Sequence, residues 1–80
     1  MYHVYLLKSA KDGGVYIGRT DDLRRRFQEH QEGRVESTRD RRPLALMYVE
    51  SYADKESADE RERKLKDFGS AYRGLLKRLR

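Results

Sequence analysis

The stretch from Val15 to His30 constrains this chain most, because it changes from one kind of regular structure to another within a few residues. Val15 and Ile17 are β-branched and flank Tyr16, and Gly18 ends the run where the backbone needs freedom or a close approach to something else. Asp21 offers an N-cap, and Asp22 puts a negative charge in the first turn of the helix that follows. The pattern reads as strand, sharp turn and helix. It carries Tyr16 at the end of a strand, Arg26 one turn into the helix and His30 one turn further, an arrangement expected to converge on one side of the domain.

Upstream, Tyr2 to Ser9 has the continuous aromatic and aliphatic content of a strand covered on both faces, and Lys11-Asp12-Gly13-Gly14 is a turn signal before Val15. A hairpin follows. Its register decides whether Tyr5 and Tyr16 meet, since they share a face only if the paired residue numbers sum to an odd value. A two-residue turn at Asp12-Gly13 satisfies this but leaves the tyrosines ~13 Å apart along the ladder. A wider loop, from about Ser9 to Gly13, brings them nearly opposite, and that is the expected form.

On a helical wheel from Asp22 to about Glu32, Leu23, Phe27 and His30 form one stripe; Arg26 borders it and Arg25 points to solvent. His30 stands where a leucine would be expected, so it is either a hydrogen-bonded core histidine or part of a site. From Gln31 to Arg42 no periodicity is visible, and Arg34, Arg39, Arg41 and Arg42 make a basic loop suited either to solvent or to phosphate. Pro43 opens the run Leu44 to Tyr52, a third strand apolar on both faces. Asp54 is the N-cap of a helix ending near Asp67, with Gly69 as its left-handed terminator, and Ser70 caps a last helix with a Tyr72, Leu75, Leu76, Leu79 face. In the first of these helices Ala58 and Leu65 define the buried stripe and Glu62 falls between them. An inward carboxylate costs desolvation unless a cation, a metal or donors meet it. Lys66 at i,i+4 is the simple partner; a site is the other reading.

Eighty residues make one domain, 1–80, which buries only roughly 60 per cent of the surface its unfolded chain exposes. Charged residues reach 41%, but the apolar ones cluster in periodic runs, which favours a folded domain over disorder. The absence of cysteine rules out a disulfide framework and a thiolate metal site. The N-terminal apolar run is too short for a signal peptide or a membrane span, so a soluble cytoplasmic protein is expected. The net charge is +5 and 13 of the 19 basic residues are arginine, whose fork suits phosphate; the bland alternative is a heavily solvated surface.

Val4-Tyr5, an eleven-residue step to Tyr16-Ile17-Gly18, then Arg26, His30, and Ala58 with Glu62 four residues later, resemble the GIY-YIG nuclease superfamily. The likeness covers almost the whole chain. It is strongest to the small single-domain bacterial members, whose basic loop ends as Arg41-Arg42-Pro43 does here. The resemblance implies an α+β fold, a three-stranded antiparallel sheet flanked by helices in the order β-β-α-β-α-α. It also implies an endonuclease that cuts DNA phosphodiesters with one divalent ion, Mg or Mn, and a place in DNA repair or recombination. Glu62 then looks like the metal ligand, Arg26 the clamp on the scissile phosphate, Tyr5 and Tyr16 the pair that orient or activate water, and His30 the supporting histidine. Arg19, Arg34, Arg39, Arg41 and Arg42 are the expected nucleic-acid contacts, and a targeting partner protein or a homodimer would supply selectivity. Two other classes compete: a catalytically silent nucleic-acid-binding module using the Arg34–Arg42 loop, and a protein-interaction domain whose basic face meets an acidic partner.

Overall fold

A computed structural model describes residues 1–79. The elements are β1 (Tyr2–Ser9), β2 (Val15–Thr20), α1 (Leu23–Gln31), α2 (Glu36–Arg39), β3 (Leu44–Tyr52), α3 (Lys55–Lys66) and α4 (Ser70–Arg78). The strands form one antiparallel sheet in the order β2-β1-β3. The expected α+β arrangement is present with one addition. The stretch from Gln31 to Arg42 is not a plain loop, because α2 closes a helical turn within it and buries Val35 and Thr38. A single turn this short leaves no periodicity in the sequence to detect.

The central strand β1 serves two cores. Val4 and Leu6 pack with Ile17, Ala58, Leu65 and Leu75 under α3 and α4. Tyr5 and Leu7 pack with Leu44 on the opposite face, against Leu23 and Phe27 of α1. This is why Tyr2–Ser9 lacks the alternation of a half-exposed strand. The pairing of β1 with β3 slips between Leu6 and Leu7, so Met47 has no partner across the ladder. That bulge reverses the facing of β3. Leu44 and Leu46 pair with Ser9 and Leu7 and join the α1 face, whereas Tyr48, Glu50 and Tyr52 pair with Leu6, Val4 and Tyr2 and join the α3 face.

Helix boundaries follow the capping chemistry with small shifts. Asp22, not Asp21, caps α1, its carboxylate accepting from the Arg25 N–H at 3.1 Å, while Asp21 faces the Arg25 guanidinium. Asp54 caps α3 as expected, accepting from the Ser57 N–H at 2.8 Å. The left-handed residue after α3 is Phe68 (φ 55°), and Gly69 instead serves as the N-cap of α4 without a side-chain bond. Phe68 stacks edge-on against Tyr72 with ring centres 4.8 Å apart, a contact that holds it there.

Candidate active site

The hairpin register is intermediate between the two forms that would put the tyrosines on one face. Tyr5 pairs with Gly18, and Tyr16 pairs with Leu7, so the tyrosines are diagonal neighbours and not opposite each other. The Ser9 hydroxyl sets this register by accepting from the Lys11 and Asp12 N–H groups, both at 3.1 Å, while the Ser9 N–H donates to the Gly14 carbonyl. Gly18 opposite Tyr5 has a direct use. A Cβ there would lie 2.5 Å from both Cζ and Oη of Tyr5 and 2.9 Å from Tyr16 Cε1. Only a residue without a side chain lets the Tyr5 ring lie across the edge strand.

Three rings from three elements meet. Tyr5 and Tyr16 centroids are 6.3 Å apart, and His30 stands edge-on to both, at 5.7 Å from Tyr5 and 5.0 Å from Tyr16. His30 is fully buried, with Nε2 2.9 Å from the Tyr5 hydroxyl and Nδ1 2.7 Å from the Thr38 hydroxyl. Arg26 donates to Glu29 Oε1 at 3.1 Å, and its charge acts on the Tyr5 hydroxyl.

The Tyr5 and Thr38 hydroxyls thus hold both ring nitrogens, one of which donates and the other accepts in a neutral imidazole. The electrostatics agree with a neutral ring. Burial, helped by the adjacent Arg26 charge and only partly opposed by Glu29, brings the His30 pKa down to about 4. Burial also pushes the Tyr5 hydroxyl up to about 12, with the Tyr16 and Glu62 charges adding to it and Arg26 opposing. Tyr5 is thus held as a neutral phenol.

Glu62 sits between buried Ala58 and Leu65 on α3 and is itself half-buried, with Oε2 3.1 Å from Lys66 Nζ. Its charge reaches the Tyr5 hydroxyl. Among the described residues no three His, Cys, Asp or Glu side chains come together as a metal cage. A lone, reachable carboxylate still suits Mg or Mn, hard ions that keep several waters and bind through one or two carboxylates together with substrate phosphates. Lys66 is half-exposed, so it can turn away from Glu62 at little cost.

Of the arginines read as nucleic-acid contacts, Arg19 pairs with Asp59, Arg34 with Glu32, and Arg41 with Asp12. Arg42 donates to the Arg39 and Gln31 carbonyls, and Arg39 is exposed. Two groups were not legible beforehand. Thr38 lies in the stretch without periodicity. Glu50 lies inside an apolar strand and accepts from Tyr48, Tyr52 and both arms of Arg61, at 2.6 to 2.9 Å. Tyrosines two residues to either side of a strand carboxylate were its only sequence signal. Arg61 precedes Glu62 on α3, so this cluster ties that helix to β3.

Comparison with known proteins gives the family. Residues 1–74 match the family described as the GIY-YIG catalytic domain. The UPF0213 protein VNG_2274C of Halobacterium salinarum is 38% identical over 77 residues, covering 95% of this chain and 99% of the relative. A UPF0213 protein of Bacillus pumilus is 41% identical over 66 residues, and there the matched part spans 66% of the relative. The solution NMR structure of the UPF0213 protein BH0048 from Bacillus halodurans superposes with a TM-score of 0.61 at 33% identity, covering all of this chain and 86% of that one. With its sheet, its paired tyrosines and this match over 74 residues, the chain belongs to the GIY-YIG family of nuclease domains.

Proposed function

We propose that residues 1–80 form a single metal-dependent endonuclease domain that hydrolyses DNA phosphodiester bonds. The observation that carries the reading is the meeting of Tyr5, Tyr16 and His30, from two strands and a helix, with the charges of Arg26 and Glu62 acting on the Tyr5 hydroxyl. Arg26, released from Glu29, holds the non-bridging oxygens of the scissile phosphate and offsets the charge that grows on them. Tyr16 and Tyr5 orient the attacking water. With Tyr5 kept neutral by burial and pinned by His30, orientation is the role its surroundings favour over proton abstraction. Glu62, released from Lys66, holds a divalent ion, Mg or Mn, which when bound polarises the phosphoryl group and stabilises the leaving oxygen. Water adds to phosphorus, the P–O3′ bond breaks and the 3′ oxygen takes a proton, giving 5′-phosphate and 3′-hydroxyl ends. Arg19, Arg34, Arg39, Arg41 and Arg42 contact flanking phosphates, and a targeting partner or a second copy supplies selection. Among the described residues no helix is long and apolar enough to cross a membrane, which fits action on DNA in the cytoplasm.

The test is incubation with nicked, branched and duplex DNA plus Mg²⁺ or Mn²⁺. Cutting is expected from the wild type, with losses of at least about a hundredfold in Arg26→Ala and Glu62→Ala. Equal residual cutting by all three would assign the activity to a contaminant. A second reading, a silent nucleic-acid-binding module, is favoured by the Lys66–Glu62 ion pair, which already satisfies the carboxylate. Salt-sensitive binding that survives Glu62→Ala, with no product formed, would establish it.

A further inference from the structure

The loop arginines are partly spent: Arg41 and Arg42 direct their guanidinium groups at Asp12 and at backbone carbonyls. The cations next to Arg26 are paired as well, but Arg25 and Lys55 are mostly exposed. A cleft of about 460 Å³ opens there, walled by Tyr2 and Arg19 from the sheet, Arg25 and Arg26 from α1, and Lys55 from α3. We propose that this cleft is a second phosphate site, in which Arg25 and Lys55 hold the backbone phosphodiester next to the one that Arg26 grips, with Tyr2 as the wall for the intervening nucleoside. The inference rests on the nuclease reading for the identity of the strand.

Three observations lead to it. First, the cleft carries excess positive charge. Asp59 alone serves both Arg19 and Lys55, and the carboxylates on the cleft wall itself are Asp21 and Glu29. Second, those counter-ions are easily displaced. Lys55 is 3.3 Å from Asp59 with 59% of its side chain exposed, and Arg25 is 3.7 Å from Asp21 with 62% exposed. Ion pairs this wet contribute little, so a phosphodiester bearing a full charge can replace the carboxylates. Third, the cleft has the volume of a small-ligand pocket, far beyond a lone ion's need, and Arg26 is part of its wall. A strand held at Arg26 therefore enters it with its next phosphate.

The test uses thymidine oligomers with chelator present, so that nothing is cut: the dinucleotide, with one phosphodiester, against the trinucleotide, with two. Affinity is read from NMR shift titrations of the wild type, Lys55→Ala, Arg25→Ala and Arg26→Ala. In the wild type the second phosphodiester is expected to tighten binding about fivefold, with Tyr2 and Lys55 resonances moving only for the trinucleotide. In the Lys55→Ala and Arg25→Ala proteins that gain falls below about twofold, and the log–log salt slope for the trinucleotide drops by about 0.7 per lost contact. Arg26→Ala weakens both oligomers alike. An undiminished gain in Lys55→Ala and Arg25→Ala overturns the second site and leaves the nuclease reading intact. Failure of the wild type to bind any oligomer at low salt overturns the second site, and the cutting assay with Mg²⁺ or Mn²⁺ decides the nuclease reading separately.

Discussion

His30 makes the stability of this domain depend on pH in a window that opens well above the carboxylate range. Its folded pKa is about 4 against an ordinary 6.5, lowered first by burial and then by Arg26. Between those values the unfolded chain binds a proton that the folded chain refuses. Stability is therefore fully present above pH 6.5, falls as pH drops through the window, and the loss is complete below pH 4. Each pKa unit is worth about 1.4 kcal/mol, so the full window amounts to about 3 kcal/mol. A domain of this length has roughly 4–12 kcal/mol in total, which makes the loss a large fraction. The clean part lies between pH 6.5 and 5, before carboxylates titrate, and is worth about 2 kcal/mol. Urea melts at half-unit pH steps measure it. The wild type should lose about 2 kcal/mol across that range and His30→Gln, whatever its starting stability, less than about 0.5 kcal/mol. Arg26→Ala should move the His30 titration part of the way back, because it removes the second cause. An NMR titration of the His30 ring gives an independent reading. A midpoint near 6.5, or an equal loss in His30→Gln, would refute the claim that this ring is held neutral by its surroundings.

Two further outcomes follow from the packing. Gly18→Ala drives a methyl to 2.5 Å from the fully buried Tyr5 ring, which should cost about 1–3 kcal/mol and lower Tm by at least about 5 °C; a shift under about 1 °C would mean that the ring can yield. Burial pushes the Glu50 pKa up, but the bonds from Arg61, Tyr52 and Tyr48 outweigh it and bring it from 4.5 to about 2. Its contribution is present above pH 4.5 and lost as pH falls through 2, so Glu50→Gln should destabilise by about 3 kcal/mol at pH 7 and by less than about 0.5 kcal/mol near pH 2, in thermal melts.

Much of the fold was legible because its periodicities are strong. The Val15–Gly18 and Leu23–His30 patterns, the stripe of Ala58 and Leu65, and the two-faced Tyr2–Ser9 run each describe what the element touches. Of the proposed site residues, the spacing of Tyr16, Arg26 and His30 already implied their meeting. What was hidden depended on side chains whose role is set by distant partners. Thr38 matters because its hydroxyl partners the buried His30 ring. Glu50 depends on Arg61, eleven residues away. The hairpin register depended on one hydroxyl, Ser9, and turn chemistry of that kind leaves no mark in an apolar pattern.

The unpaired residue in β3 carries a practical consequence. Before Met47 the even-numbered residues Leu44 and Leu46 share the face of the helix that contains His30; after it Tyr48, Glu50 and Tyr52 share the face of the helix that contains Glu62, and Val49 takes over the first face. Met47 is thus the residue that a chimera with relatives must preserve: a crossover that drops one residue there would turn Leu44 and Glu50 towards the same side and mix an apolar floor with a charged one.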